Sequence, residues 1–439
     1  MKTPTLLSRY FGLEQLRTTP RRELLAGLTT FITMAYIIVV NPKILEAAGI
    51  PLGPSMMATI LTAFIGTLLM GVYAKRPFAI APYMGENAFV AYTLVKGMGY
   101  PWQTVLGAVF ISALIFALLT VLKVRGWLVG AIPQSLKIAF SVGIGFFLAF
   151  IGLNETGIVK LGVPGAPVQV GNLTEPATWL AIFCFLLISA LQIRKTTGAI
   201  LLGMLITTLL AATSGLVKLP REFISLPVSL APTFGKLDIV GALRPEFFPV
   251  IMTLFVILFV DTMGTLIGVS YIGGFLDKKG NLPEVEKPML CDSFATMAGA
   301  VLGTTASGAY IESATGIEAG GRSGLTAVFT ALFFLIALLF FPLLTIVPPC
   351  AYGPALIAVG GLMLSPVKDI DFSDLSELIP AFITIALISF TYNLGMGMAA
   401  GFIVYPLAKA VAGKSREIPV GLWVLSGFSI LFFMLYPYH

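Results

Sequence analysis

The chain has 439 residues, of which 57% are hydrophobic and only 11% charged, and its mean hydropathy is +0.95. A water-soluble core of this length cannot absorb so many apolar side chains, so the composition selects the lipid bilayer as solvent. The net charge of +6 comes from basic residues scattered over short loops rather than gathered in one stripe, which argues for the orientation bias of a membrane protein and against a nucleic-acid partner.

Residues 1–23 carry Lys2, Arg9, Arg17, Arg21 and Arg22, and are too long and polar for a secretory signal; they read as a cytoplasmic arm. Apolar runs then follow at the length needed to cross hydrocarbon as helices. The hydropathy pattern predicts fourteen spans. The first seven lie near residues 24–42, 55–73, 84–99, 103–122, 133–153, 177–192 and 198–217. The second seven lie near 247–268, 289–303, 311–320, 324–346, 351–366, 378–392 and 395–411. This count puts Lys75, Arg76, Lys123, Arg125, Lys137, Arg194, Lys195, Lys278, Lys279, Lys287, Arg322, Lys368, Lys409, Lys414 and Arg416 on the side of the arm. About 20 of the 27 basic residues then fall inside, as the positive-inside rule requires. Asn154 to Thr178 and Val217 to Glu246 are rich in Pro and Gly and read as linkers. The apolar stretch Pro419 to Tyr436 is left as a further span, a re-entrant piece or an interfacial tail.

The two halves echo each other. GAVFISALIFALL from Gly107 resembles TAVFTALFFLIALL from Thr326, and Glu86-Asn87 recurs 226 positions on as Glu312-Ser313. Seven is odd, so duplication sets the halves in opposite orientations, giving the inverted repeat of secondary transporters.

Each half holds one segment too short and interrupted for an ordinary span: AIAPYMGENAFVAYTL from Ala79, and GTTASGAYIESATGIEAGGRSG from Gly303. Pro82, Gly85, Gly303, Gly308 and Gly316 predict extended backbone followed by a half-helix. Such backbone survives at membrane depth only beside protein or a cavity, where half-helix N-termini offer N–H donors to a ligand.

Glu86, Asp261, Glu312 and Glu318 are placed at membrane depth, where an ionised acid costs about 2.5 to 3.5 kcal/mol on insertion scales. Glu318 has Arg322 four residues on as an alternative partner. Thr262 and Thr265 either present hydroxyls beside Asp261 or back-bond to the preceding turn. Asn87 can read a ring edge as donor and acceptor, or hold the broken backbone. Tyr310 and Phe89 place an aromatic beside each polar group, suited to a planar heterocycle or to packing.

Cys184, Cys291 and Cys350 stand apart, and His439 is the single histidine. That spacing predicts no disulfide framework, metal site, imidazole relay or Ser-His-Asp set, and the absence of GxxxxGK[ST] argues against an ATP-driven pump. No cofactor and no enzymatic activity are expected.

FITMAYIIVVNP from Phe31, APYMGENAF from Ala81, DTMGTL from Asp261 and ESATGIEAGGRSG from Glu312 together resemble, over nearly the whole chain, the AzgA-like branch of the nucleobase-cation symporter family, the purine permeases for hypoxanthine, guanine and adenine. The resemblance implies an all-α polytopic membrane protein with the uracil-permease-like 7+7 inverted repeat and short strands in broken spans three and ten. It implies a core domain of 24–124 and 245–346, and a gate domain of 133–217 and 351–412, with a C-terminal tail of 413–439. It places the substrate site at Asn87, Asp261, Thr265, Tyr310, Glu312 and Ser313, with Asp261, Glu312 and Glu86 as the acids of proton coupling. Thr265 falls where the uracil carriers have a histidine, and YMGENA from Tyr83 departs from the branch's common GMGLNA by adding Glu86.

The reading is therefore a carrier that imports a purine nucleobase with a proton by alternating access, with sodium left open as the coupling ion. The lipid bilayer is its surroundings, and a homodimer is compatible with the sequence. Burial favours the neutral form of a carboxyl, so one acid can take a proton from outside and release it inside. An anion carrier or exchanger of the same fold, or a membrane receptor that binds without flux, are the alternatives.

Overall fold

The computed structural model describes residues 6–122, 131–163, 166–220, 222–225, 227–277 and 282–435. Lys2, Lys123, Arg125, Lys278, Lys279 and His439 lie outside the described residues.

The first predicted span is two helices, α1 (Pro20–Met34) and α2 (Ile37–Glu46), interrupted at Ala35 and Tyr36. Thr19 caps α1 by accepting the Arg22 N–H, and Pro20 sits at its first position, where no N–H is needed. After α3 (Leu52–Val72) the chain turns extended as β1 (Ile80–Pro82), then helical as α4 (Met84–Ala88), which runs into a π-helix over Phe89–Gly97. Next come α5 (Trp102–Val121) and α6 (Gln134–Glu155).

The linker after α6 is not structureless. It folds into a hairpin of β2 (Val159–Val163) and β3 (Ala166–Val170), so the chain is mostly rather than wholly helical. Val159, Leu161 and Val163 alternate with Lys160 and Gly162, a period-2 pattern that the Pro and Gly content of the linker masks. Helices α7 (Pro176–Ile193) and α8 (Ala199–Thr213) complete the first half.

The second half repeats the plan with α9 (Phe248–Gly273), α10 (Glu286–Leu302), β4 (Ser307–Ala309), α11 (Ser313–Glu318) and α12 (Gly324–Ala337). It continues with α13 (Pro349–Leu362), α14 (Leu375–Thr391), α15 (Leu394–Val411) and α16 (Val420–Leu435), the last lying along α15. Among the described residues nine helices are long and apolar enough to cross a membrane, and the stretches Ala199–Thr213, Leu375–Thr391 and Val420–Met434 are shorter apolar helices.

The two broken segments meet. β1 pairs antiparallel with β4 in the register Ile80↔Ala309, Ala81↔Gly308 and Pro82↔Ser307. The outer edge of each strand would leave peptide groups unpaired, and a threonine closes each one. Thr67 of α3 accepts the Ile80 N–H at 2.9 Å and donates to its carbonyl at 3.0 Å. Thr296 of α10 does the same for Ser307, at 3.0 and 2.8 Å. Two strands can therefore lie deep in apolar surroundings without a backbone penalty.

The helices pack as two sets. In one, α3 and α12, α1 and α12, α3 and α10, α5 and α10, and α5 and α9 are in contact; in the other, α6, α13, α14 and α15 pack together with α7 and α8. The pair α6/α13 is tight because glycines face each other's backbone. A Cβ on Gly152 would lie 2.5 Å from the Gly353 carbonyl oxygen, and one on Gly145 2.6 Å from that of Gly360.

Candidate functional site

A cavity of about 660 Å³ opens between the two helix sets. One wall comes from the break in the first span and the two broken segments: Tyr36, Tyr83, Met84, Gly85, the stretch of α9 from Phe259 to Gly268, and Ala309 to Glu312. The other comes from α6 (Gln134, Lys137, Ser141, Ile144, Leu148) and the end of α13 (Val359, Leu362, Met363). That volume suits a small ring compound, and its mostly apolar lining with a few convergent polar groups is the usual form of a ligand site.

Asp261, Thr265, Tyr310 and Glu312, all foreseen from the sequence, line this cavity. Asp261 and Thr265 are one turn apart on α9 and half-buried, so both reach the opening. Glu312 sits at the N-terminal end of α11, half-buried, and accepts a hydrogen bond from the Tyr36 hydroxyl at 2.6 Å. Tyr310 donates its hydroxyl to the Pro82 carbonyl, and its ring lies parallel to that of Tyr83, 6.2 Å between centroids and 8° between planes. A Cβ at Gly308 would come within 2.2 Å of the Tyr83 hydroxyl, so only glycine in β4 lets that ring lie there.

Three predicted residues are elsewhere. Asn87 is fully buried and donates to Asn41 Oδ1, while Asn41 donates to Thr59 at 2.7 Å and Thr304 at 2.9 Å. Its amide ties the broken segment to the first two spans instead of facing the cavity, because α4 presents Met84 and Gly85 to the opening and turns the next residues inward. Ser313 accepts the Ala79 N–H at 2.9 Å, locking the start of β1 to α11. Phe89 is 2% exposed and packs in the apolar core, not against the cavity.

Glu86 is fully buried behind the cavity wall, within the field of Asp261, and neither carboxyl oxygen has a hydrogen-bond partner among the described residues. Glu318 does not line the cavity: it is exposed, and Arg322, its alternative partner, spends its guanidinium on the Ile317 and Gly321 carbonyls at 2.7 and 2.9 Å.

Sequence reasoning missed Tyr36 and Asp292. Asp292, on α10, is fully buried, accepts the Ala309 N–H at 3.2 Å through one oxygen, and lies with Asp261 and Glu86 in the field around Tyr83. The signal was available, since an acid amid MLCDSFATMAGAVL is as costly at depth as Asp261. No signal marked Tyr36, which matters only because the helix breaks beside it. Among the described residues no group of three or more His, Cys, Asp or Glu has metal-binding geometry.

Acids half-open to a cleft between two sets of membrane-length helices define an integral-membrane permease. The chain belongs to the Xan_ur_permease family, a permease family, matched over residues 21–403. It is 44% identical to a putative permease of Methanocaldococcus jannaschii, over 98% of both chains. It is 40% identical to the adenine permease AdeQ of Escherichia coli K12, over 94% of this chain and 92% of that one. It is 38% identical to the guanine/hypoxanthine permease PbuG of Bacillus subtilis, over 98% and 99%. These relatives agree with the AzgA-like resemblance, and the chain is a transporter rather than an enzyme.

Two solved structures share the fold. The transmembrane domain of the cyanobacterial bicarbonate transporter BicA matches with a TM-score of 0.62 at 16% identity, covering 87% of this chain and 97% of that one. The murine anion transporter Slc26a9 in its inward-facing state matches with a TM-score of 0.59 at 12% identity, covering 99% and 73%.

Proposed function

We propose that the protein imports purine nucleobases together with protons by alternating access. The observation that carries this reading is the pair Asp261 and Glu312, two half-exposed carboxyls in one cavity beside the parallel rings of Tyr83 and Tyr310. Carboxylates accept ring N–H groups through charge-assisted bonds, an aromatic face receives a planar base, and Thr265 supplies a hydroxyl. The purine permeases among the relatives supply the substrate class.

The helix sets serve as core and gate. The core (24–124 and 245–346) carries both broken segments and the acids; the gate (133–217 and 351–412) supplies the opposite wall. Counting α1 with α2, and each strand with its half-helix, as single spans, and leaving α16 outside the repeat, gives a 7+7 inverted repeat of fourteen spans, with the basic loops and the N-terminus cytoplasmic. The cavity then opens toward the cytoplasm, where α6 begins and α13 ends. Asn87 and Ser313 support the site by holding β1, β4 and their half-helices in register. Glu86, buried behind Asp261, is placed to share a proton with it. The base is neutral, so the proton carries the charge and each 100 mV contributes about 2.3 kcal/mol per charge moved.

Labelled hypoxanthine and adenine uptake into proteoliposomes tests this. Asp261→Ala and Glu312→Ala should each lose uptake while still reaching the membrane; full transport by either would sink the assignment. Collapsing the proton gradient should abolish accumulation, and accumulation that follows sodium instead would refute proton symport. Flux also separates a carrier from a receptor. Anion carriage, known for the two structural neighbours, is disfavoured because the charged residues that line the cavity are two acids, Asp261 and Glu312, against one base, Lys137.

A further inference from the structure

The cavity runs along α6 from Gln134 to Leu148 and meets the C-terminal end of α13, and the far ends of the same helices, beyond it, carry a separate polar cluster. Glu155 is the last residue of α6, about 10 Å along the helix beyond Leu148, the last residue of α6 that lines the cavity. Its Oε1 accepts the Tyr92 hydroxyl at 3.1 Å and its Oε2 the Tyr352 hydroxyl at 2.7 Å. Tyr352 belongs to α13 and so to the same helix set as Glu155, whereas Tyr92 belongs to the π-helix that continues the broken segment of the other set.

A second stitch lies beside the first. Thr93 donates its hydroxyl to the carbonyl of Tyr392, a residue with φ of 54° in the gap between α14 and α15. The Tyr392 ring meets Phe147 and Phe150 of α6 edge-on, at 5.1 and 5.2 Å between centroids. The next turn of the substrate-bearing segment is thereby bonded to α6 and to the α14–α15 junction, at the end of the cleft away from the cavity.

We propose that Tyr92–Glu155 and Thr93–Tyr392 form a latch that closes the side of the transporter opposite the cavity and must break each time the site turns to face that side. This rests on the alternating-access reading above. Glu155–Tyr352 lies within one helix set and persists through the cycle; the other two bonds cross between sets and cannot. The assignment follows from relative motion alone. If the broken segments slide past α6 and α13, a bond from the π-helix to the end of α6 lengthens beyond hydrogen-bonding distance, and removing it lowers the cost of the opposite-facing state.

Cysteine accessibility tests the latch without any substrate. Ile151 is 1% exposed and one turn before Glu155 on the same helix face. The native Cys184, Cys291 and Cys350 are buried and give little background. In sealed vesicles carrying Ile151→Cys, an impermeant maleimide applied to each side in turn should label about tenfold faster when Tyr92→Phe is added, a shift equal to about 1.4 kcal/mol in the conformer ratio. Thr93→Val should act in the same direction, and Tyr352→Phe should leave the rate within about twofold. Unchanged labelling in both Tyr92→Phe and Thr93→Val would overturn the latch, as would equal acceleration by Tyr352→Phe, which indicates general loosening. Failure of purine uptake by the unmodified protein would refute the substrate reading and leave these rates untouched.

Discussion

Glu23 gives the most quantitative test of how this fold is held. It is fully buried in the first turn of α1, and its carboxylate collects five donors from the entrance to α12, about 300 residues away, and from Thr18. Oε1 accepts the Thr18 hydroxyl at 2.7 Å and the Arg322 N–H at 3.1 Å. Oε2 accepts the Ser323 N–H at 3.2 Å, the Ser323 hydroxyl at 2.8 Å and the Thr326 hydroxyl at 2.6 Å. An anion here also complements the N-terminal dipole of α12, capped by Ser323.

The pattern makes Glu23→Gln unusually informative. Hydroxyls can rotate to accept from an amide, but a peptide N–H cannot. Each carboxylate oxygen receives one peptide N–H, so either orientation of the glutamine sets its NH₂ group against one of them. An unsatisfied buried donor costs about 1 to 3 kcal/mol, and Glu23→Ala, which strands both peptide groups, costs about 2 to 6 kcal/mol. Against a net stability of about 5 to 15 kcal/mol these are large losses. Fluorescence-detected size exclusion after heating in detergent should rank wild type above Glu23→Gln, and Glu23→Ala lowest. A glutamine variant melting with wild type would refute the reasoning, since it would mean the two N–H groups do not depend on this carboxylate.

Two further outcomes follow from geometry. A Cβ at Gly85 would lie 2.5 Å from Ile144 Cγ2, where α4 touches α6, so Gly85→Ala should cut uptake by about tenfold through overpacking of about 1 to 3 kcal/mol, and Ile144→Ala should restore it. Failure of that rescue would place the defect elsewhere. Asp374, just before α14, is held below the usual carboxylate range by the Lys414 ammonium at 2.6 Å and by Ser376. A depressed folded-state value adds stability that is complete above the unfolded value of about 3.9 and is lost as pH falls below it. The melting-temperature gap between wild type and Asp374→Asn should therefore be full at neutral pH and shrink under acid; a gap constant down to the lowest pH would contradict it.

The sequence alone was enough for the bilayer, for the family, and for both broken segments. Composition and hydropathy add up locally, and a Pro or Gly in an apolar run breaks a helix wherever the rest of the chain lies. It also supplied Asp261 and Glu312, because an acid in hydrocarbon is conspicuous on energetic grounds, and Thr265 and Tyr310 through their place beside those acids and the family resemblance. Asn87 and Glu86 were equally conspicuous, yet their direction depends on which side of a five-residue helix meets the opening, and a rotation of one residue turns a side chain through about 100°. Tyr36, Asp292, Glu23 and Glu155 depended on partners on distant segments. Their roles arise from which hydroxyl or N–H the packing brings within about 3 Å, and only the tertiary structure, in which Thr67 and Thr296 close the edges of β1 and β4 and bring the two halves together, decided that.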